Sequence, residues 1–328
     1  MSRLMYSVAC SAALAEEMER DERVFMMGED VSISMMGRST GLLKQFGASR
    51  VRDTPISEAA IVGAAVGAAA TGMVPVVDLM MANFIYVAMD QMLNNANKLR
   101  YMMGGSSTFP LTILASTGAA GSLAAQHSDS LHAQLINGGG WKVLCPTNAA
   151  DAKGLLKSAI RDPNPVIVFV PFVLSGIAGE VPNDEYLTPI GQARVVREGS
   201  DVTVVAVGAM VARAVAAAEQ LDAEGVSLEV IDPRTLHPLD YATVIASVEK
   251  TGRLVCVDEA RRSCSLASEI VARVAAAAFG ALRSAPRVVA NPDVHVPYAP
   301  SLEAQVIPQV SDIVEAVRSL DATMEVSG

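Results

Sequence analysis

Two side chains in this sequence are placed for proton chemistry, Glu58 and His127. Glu58 closes the run Asp53-Thr54-Pro55-Ile56-Ser57-Glu58 and opens the small-residue stretch 59–72. Pro55 and Ser57 mark a turn into a helix, so the carboxylate falls in the first helical turn. A helix so rich in Ala and Gly packs its backbone closely against a neighbour and carries Glu58 inward. A carboxylate in that position needs a partner, because burying an unpaired charge is costly. Spacing leaves two readings open. Glu58 either complements the helix dipole beside a Ser57 cap, or it faces a heterocyclic nitrogen.

His127 lies in Gln126-His127-Ser128-Asp129-Ser130, at the end of a Gly/Ala/Ser loop (116–125) and the start of an expected helix. A histidine there is exposed enough to donate a proton, and a loop histidine without a role fits the spacing equally well. His132 is five residues on. Positions i and i+5 do not share a helix face, which argues against a metal pair. Met80, Met81, Phe84 and Tyr86 read as core on spacing alone.

The elements that must hold these residues alternate. Residues 7–20 read as helix, 24–27 as strand, 58–71 as helix and 74–79 as strand. A longer helix is expected over 83–103, then strand 111–115 and a helix from about Ser128. Strand 142–145, helix 149–160 and strand 165–170 follow. Such alternation implies a parallel sheet covered by helices. Pro171, Pro182 and Pro189 interrupt it, and 171–200 reads as a connection ending in a small hairpin. A second series runs from strand 202–207 to helix 311–320. The fold class is α/β in two domains, 1–175 and 201–328, with 176–200 as linker.

Composition narrows the functions. The chain has 328 residues, 51% hydrophobic and 18% charged, with a formal net charge of -10. That balance argues against nucleic acid and anionic membranes as partners, and a cytoplasmic enzyme is expected. Residues 3–15 imitate a signal peptide, but Val8, Ala12, Ala15 and Met18 continue at helical spacing into a charged segment. The uncharged run 59–77 has membrane-spanning length, yet Gly72, Pro75 and Asp78 divide it into helix, turn and strand. Cys10, Cys145, Cys256 and Cys264 read as buried, reduced thiols. No glycine cluster has the G-x-G-x-x-G or Walker spacing between a strand and a helix, so a phosphorylated cofactor would need its phosphates held by something else.

Taken whole, the sequence resembles the beta subunits of the thiamine-diphosphate-dependent first component of 2-oxo acid dehydrogenase complexes, a group that includes acetoin dehydrogenase. The resemblance rests on GED (28–30), DTPISE (53–58), VGAAVGAAATGMVPVVDLM (62–80), AMDQ (88–91), KLRYMMGG (98–105) and AAQHSDSL (124–131). It continues in WKVLCPTNAADAKGLLKSAIRDPNPVI (141–167), EVP (180–182), VREGSDVTVVAVG (196–208), VIDPRTLHPLD (230–240), TGRLVCVDEA (251–260) and VPYAPSLE (296–303).

The resemblance implies a pyrimidine-binding domain followed by a transketolase C-terminal-type domain. It also implies an α2β2 heterotetramer with a second beta subunit, and a lipoyl acyltransferase core as further partner. The alpha subunit would hold the diphosphate and Mg2+, which accounts for the missing phosphate loop. Glu58 is implied to bond ring nitrogen 1′ of the aminopyrimidine. An acid there favours the imino tautomer, whose 4′-imino group deprotonates the thiazolium carbon. Met80 and Phe84 would pack on the pyrimidine, and His127 would assist substrate protonation and acyl transfer to lipoamide. A possible potassium site is implied at Leu111, Ala159, Ile160, Asp162 and Asn164; a helix-ending turn explains the same residues.

The segment Pro171–Ile177 and the stretch 32–36 depart from the family pattern, which bears on substrate pocket and partner contacts. The segment 258–264 with 278–280 leans toward acetoin-type members. Two alternatives keep different parts of this reading: a non-oxidative lyase or ligase subunit without lipoyl transfer, and a non-catalytic assembly subunit.

Overall fold

The computed structural model describes residues 1–119 and 121–322. They form two compact units: Met1–Thr117 with Gln134–Ile190, and Gly118–Ala133 with the chain from Gly191.

The first unit contains β1 (Ser2–Met5), α1 (Tyr6–Arg20), β2 (Val24–Gly28), α2 (Leu42–Phe46), β3 (Val51–Asp53), α3 (Glu58–Ala70), β4 (Val74–Met81), α4 (Leu99–Met102) and β5 (Thr112–Thr117). After α5 (His132–Gly138) come β6 (Lys142–Leu144), α6 (Ala149–Ile160), β7 (Val166–Pro171) and β8 (Ala178–Val181). Its main sheet runs β6-β7-β5-β4-β2-β3, every pair parallel. All residues of β2, β5 and β7 are buried, the mark of strands covered on both faces.

Local chemistry sets the helix limits. Asn148 caps α6 by accepting the Asp151 N–H at 2.9 Å, and Pro163 follows its last turn. In α3 the buried residues Glu58, Ile61, Val62, Ala65, Val66 and Ala69 form one stripe at helical spacing. The helix packs on β4.

Three expectations are corrected. The helix expected over 83–103 is instead a 3-10 turn (Ala82–Ala88), a π turn (Gln91–Ala96) and the short α4. Asparagines there bond outside the helical ladder: Asn94 Nδ2 donates to Asp90 Oδ1 at 2.7 Å, and Asn97 Nδ2 donates to the Gly139 carbonyl at 2.7 Å. The helix expected from Ser128 begins at His132. The hairpin expected before Asp201 is absent. β8 pairs antiparallel with β1, and the strand at 194–197 pairs antiparallel with the strand at 228–232.

The unusual segment Pro171–Ile177 has a place in the fold. Its Ser175 and Ile177 carbonyls accept the N–H groups of Ser7 (3.1 Å) and Tyr6 (2.9 Å), two otherwise orphaned donors at the start of α1.

An ion network ties α1 to α6. Lys157, with a side chain 0% exposed, lies 2.7 Å from Glu16 and also bonds Glu185. Arg161 contacts Glu17 and Glu185, each at 2.6 Å. Burial opposes the charge on Glu16, but Lys153 and Lys157 outweigh it and hold the carboxyl below its ordinary value. A carboxyl lowered in this way stabilises the fold above its unfolded pKa, and that contribution is lost as pH falls through the folded value. Melting temperature is therefore expected to drop on acidification below about pH 4.5. The drop is expected to be shallower in Lys157→Met. Equal slopes in thermal melts of the two proteins would show that the network carries no such linkage.

The second unit contains β9 (Arg194–Arg197), β10 (Val202–Ala206), α7 (Met210–Asp222), β11 (Leu228–Asp232), β12 (Thr235–His237), α8 (Tyr241–Thr251), β13 (Leu254–Arg261), α9 (Leu266–Ala278), β14 (Arg287–Asn291), α10 (Pro300–Val306) and α11 (Val310–Ala322). Its sheet runs β14-β13-β10-β11-β9, parallel except for β9. Cys10, Cys145 and Cys256 are buried as expected, while Cys264 is exposed, a correction. Burial pushes the Cys10 thiol up to about 12, so it stays protonated at neutral pH. No helix among the described residues is long and apolar enough to cross a membrane.

Candidate active site

Three strand ends of the first unit lie side by side. Gly28, the last residue of β2, pairs with Asp53 of β3 on one side and Asp78 of β4 on the other. The residues that follow each strand therefore leave the sheet at one level, the carboxyl edge where parallel sheets place ligands. Glu29 follows β2, Thr54 to Glu58 follow β3, and Met80 is the penultimate residue of β4. Gly28 is needed for this closeness, since a Cβ there would stand 2.4 Å from the Asp78 carbonyl oxygen.

Glu58 is the first residue of α3 and is 9% exposed. Ser57 makes no side-chain cap bond, so the capping arrangement is not formed. Among the described residues no group hydrogen-bonds or ion-pairs with Glu58. A like charge, Glu29, lies within its electrostatic reach. Glu29 is half-buried, and burial first, then Asp30 and Glu58, raise its carboxyl above the ordinary value. A buried carboxylate that repels its neighbour and has no donor among the described residues is set up to receive one from outside.

Met80 is held by a buried ion pair. Its φ is 58°, which costs a non-glycine residue about 1 kcal/mol or more. Asp78 Oδ1 accepts the Met80 N–H at 2.9 Å, and Arg38 grips Asp78 through Nη2 at 2.6 Å and Nε at 3.0 Å. Arg38 Nη1 also donates to Ser116 Oγ at 2.9 Å. Arg38 is 1% and Asp78 3% exposed. The β4–β5 register shifts between Asp78 and Met81, so a bulge turns Met80 out of the ladder. Phe84 is half-buried in the 3-10 turn Ala82–Ala88, on which α3 also packs. Carboxylate, thioether and phenyl ring thus belong to elements packed on one another, and the set suits a flat, nitrogen-bearing ring.

His127 belongs to the second unit, half-buried in the 3-10 turn Ala125–His127. Residues around it are tied to that unit's sheet and to α10. Glu259 Oε1 accepts the Ala119 N–H at 2.6 Å, and Glu303 Oε2 accepts the Ser122 N–H at 2.9 Å. Arg261 pairs with Asp129 at 2.9 Å, and His132 Nε2 meets Asp258 Oδ2 at 3.0 Å. Burial works against the charge on Asp258, but His132 outweighs it and keeps the carboxyl below its ordinary value.

The residues considered for potassium meet at the end of α6. Asn164 N and Nδ2 each donate to Asp162 Oδ1 at 2.9 Å. Lys142 bonds the other Asp162 oxygen, and Arg100 bonds Asn164 Oδ1. The Leu111 carbonyl accepts the Val166 N–H at 2.8 Å, and that of Ala159 accepts the Asp162 N–H at 3.2 Å.

Several of these residues escape a reading of the sequence. Arg38 and Asp78 are forty residues apart and carry no motif. Glu29 follows β2 in GED and Glu259 lies near the carboxyl end of β13 in VDEA, and that position is the signal that could have found them.

Comparison with known proteins agrees with this architecture. Residues 2–172 match the family described as transketolase, pyrimidine binding domain, and residues 191–313 match transketolase, C-terminal domain. The chain is 45% identical to the acetoin:2,6-dichlorophenolindophenol oxidoreductase subunit beta of Cupriavidus necator, over 96% of this chain and 97% of that one. It is 45% identical to the pyruvate dehydrogenase E1 component subunit beta of Rhizobium meliloti, over 98% and 70%. With the 2-oxoisovalerate dehydrogenase subunit beta of Bacillus subtilis it shares 40% identity over 98% and 99%. Among solved structures, a split gene transketolase described as an inactive beta4 tetramer superposes with a TM-score of 0.79 at 25% identity, covering 97% and 98%. The chain therefore belongs to the transketolase-like family of the beta subunits of pyruvate, acetoin and 2-oxoisovalerate dehydrogenases.

Proposed function

We propose that this chain is the beta subunit of a thiamine-diphosphate enzyme that decarboxylates a 2-oxo acid or cleaves acetoin and passes the acyl group to a lipoyl carrier. The observation that carries this reading is Glu58, a carboxylate buried at the edge of a pyrimidine-binding domain with no hydrogen-bond or ion-pair partner among the described residues.

Thiamine diphosphate, when bound, supplies a carbon nucleophile that adds to a carbonyl group. The residues present fit its pyrimidine half. Glu58 would hold a proton against ring nitrogen 1′, and the dry setting of α3 makes that hydrogen bond stronger than it would be in water. Met80 and Phe84 would fix the plane of the ring, with Arg38 and Asp78 holding Met80 in place. His127 would donate a proton to the substrate oxygen and assist acyl transfer. Residues 1–175 and 201–328 would act as the two domains, joined through 176–200.

The diphosphate and Mg2+ would be held by an alpha subunit in an α2β2 assembly, because no loop of this chain has the spacing to cradle phosphates. Exposed apolar side chains support such partners: Ile56 (73%), Val87 (61%), Tyr101 (88%) and Met102 (71%) all belong to the first unit. A potassium ion at 111–164 would have to use the remaining lone pairs of main-chain carbonyls, since Lys142 and Arg100 already occupy the Asp162 and Asn164 side chains.

Turnover by the chain reconstituted with its alpha partner is expected with either a dye acceptor or a lipoyl domain. Product released without any acceptor, and no transfer to a lipoyl domain, would identify the non-oxidative lyase or ligase. The isolated chain is expected to bind thiamine diphosphate too weakly for a calorimetric titration to resolve.

A further inference from the structure

Glu259 is another buried carboxyl near the carboxyl end of a strand. It lies at the carboxyl end of β13, 9% exposed. One oxygen accepts the Ala119 N–H at 2.6 Å. Gly118 is pressed against the other: a Cβ added there would stand 2.6 Å from Glu259 Oε2, and the residue has φ +83°. Glycine is the residue that fits this contact. The same carboxyl lines a cavity of about 10 Å³, together with Ser128, Asp129, Arg261 and Asn291. Two of those side chains hold buried polar atoms with no hydrogen-bond partner among the described residues, Ser128 Oγ and Asn291 Oδ1, at 2% and 4% exposure. A volume of that size holds one water, which would serve both.

We propose that Glu259 is the positioning residue for His127: its carboxyl fixes Gly118 and Ala119 on one side and, through one water shared with Ser128 and Asn291, the residue that follows His127 on the other. The inference rests on the role given to His127 above. Gly118 and Ala119 lie upstream of the histidine's turn and Ser128 follows it directly, so a carboxyl that holds the first two and shares a water with the third would constrain the segment that carries the imidazole.

Proton occupancy gives this contact a pH dependence. Burial, with the charges of Asp258 and Glu303 adding to it, pushes the Glu259 carboxyl up to about 7 against the opposing Ala119 N–H and Arg213. Arg213 comes from α7, Glu303 from α10, and Asp258 and Arg261 from β13 itself; Asp129, His132 and His127 are the titratable groups of the bracketing segment. The neutral acid can donate to the water, which then donates to Asn291 Oδ1. The ionised form can only accept.

The test uses the full chain reconstituted with its alpha partner. In Glu259→Ala, amide hydrogen exchange in peptides spanning 118–133 is expected to rise by about tenfold or more. In Glu259→Gln, which keeps the acceptor for Ala119, it is expected to stay within about threefold of the native rate. Gly118→Ala strains the contact from its other side and is expected to behave like Glu259→Ala. The lipoyl-coupled rate in Glu259→Ala is expected to fall about tenfold more than the dye-linked rate. In Glu259→Gln the pH profile of their ratio is expected to lose one ionisation near pH ~7. Unchanged exchange in both Glu259→Ala and Gly118→Ala, or equal losses with the two acceptors, would overturn the proposal. A native complex inactive with both acceptors would count against the enzyme reading instead, and the exchange result would stand apart from it.

Discussion

Alanine at position 58 is expected to remove turnover from the assembled enzyme while leaving the chain folded. Loss of a positioned acid–base group costs about 10²–10⁴ in rate, and no other described side chain bonds Glu58 to take over its role. Stability is expected to change little. Glu58 has no hydrogen bond or ion pair with another described residue, so truncation strands no partner. The helix loses only a favourable charge at its first turn, about 0.3–1 kcal/mol, and relief of the Glu29 repulsion offsets part of that. Glu58→Gln is expected to lie between the two, since an amide can meet a ring nitrogen but cannot hold an exchangeable acid proton there. Steady-state rates beside thermal melts separate these outcomes. Native turnover in Glu58→Ala would leave the non-catalytic assembly subunit as the better description.

The second large effect falls on stability. Arg38→Met is expected to cost about 3–5 kcal/mol, because it leaves Asp78 as an uncompensated buried charge. For a chain of this size that is roughly 6–20 °C in melting temperature. Activity is expected to fall as well, since Asp78 Oδ1 is the acceptor that steadies Met80 at its left-handed φ. The double variant Arg38→Met with Asp78→Leu is expected to recover part of the stability, as apolar replacement of a whole buried pair often does. It is not expected to recover activity, because the Met80 N–H still lacks its acceptor. A single-variant cost under about 1 kcal/mol would mean that the pair is solvated and does not hold the turn.

These expectations show where sequence is sufficient. The alternation of strands and helices was legible because buried parallel strands write continuous apolar runs and the helices between them carry their own stripes. The place and burial of Glu58 were legible for a local reason, an acid at the start of a helix made of small residues; its role was implied only by the resemblance. The stretch 83–103 was not legible. Its apolar spacing is helical, and the departure into a 3-10 and a π turn comes with Asn97 bonding the Gly139 carbonyl, a partner far along the chain. Arg38 with Asp78, and Glu259 with Ala119, were hidden for a different cause. Each pair joins positions distant in sequence, and nothing in the local pattern of either partner names the other. Cys264 looked like its three buried counterparts because exposure depends on where a turn ends, which four flanking residues do not fix.

The most direct measurement is the rate at which thiamine diphosphate, bound in the assembled complex, exchanges its thiazolium carbon proton for deuterium. If Glu58 tunes the aminopyrimidine, the native complex exchanges about a hundredfold or more faster than the complex carrying Glu58→Ala at equal cofactor occupancy. Equal exchange rates in the two would contradict the assignment of Glu58 and the function built on it.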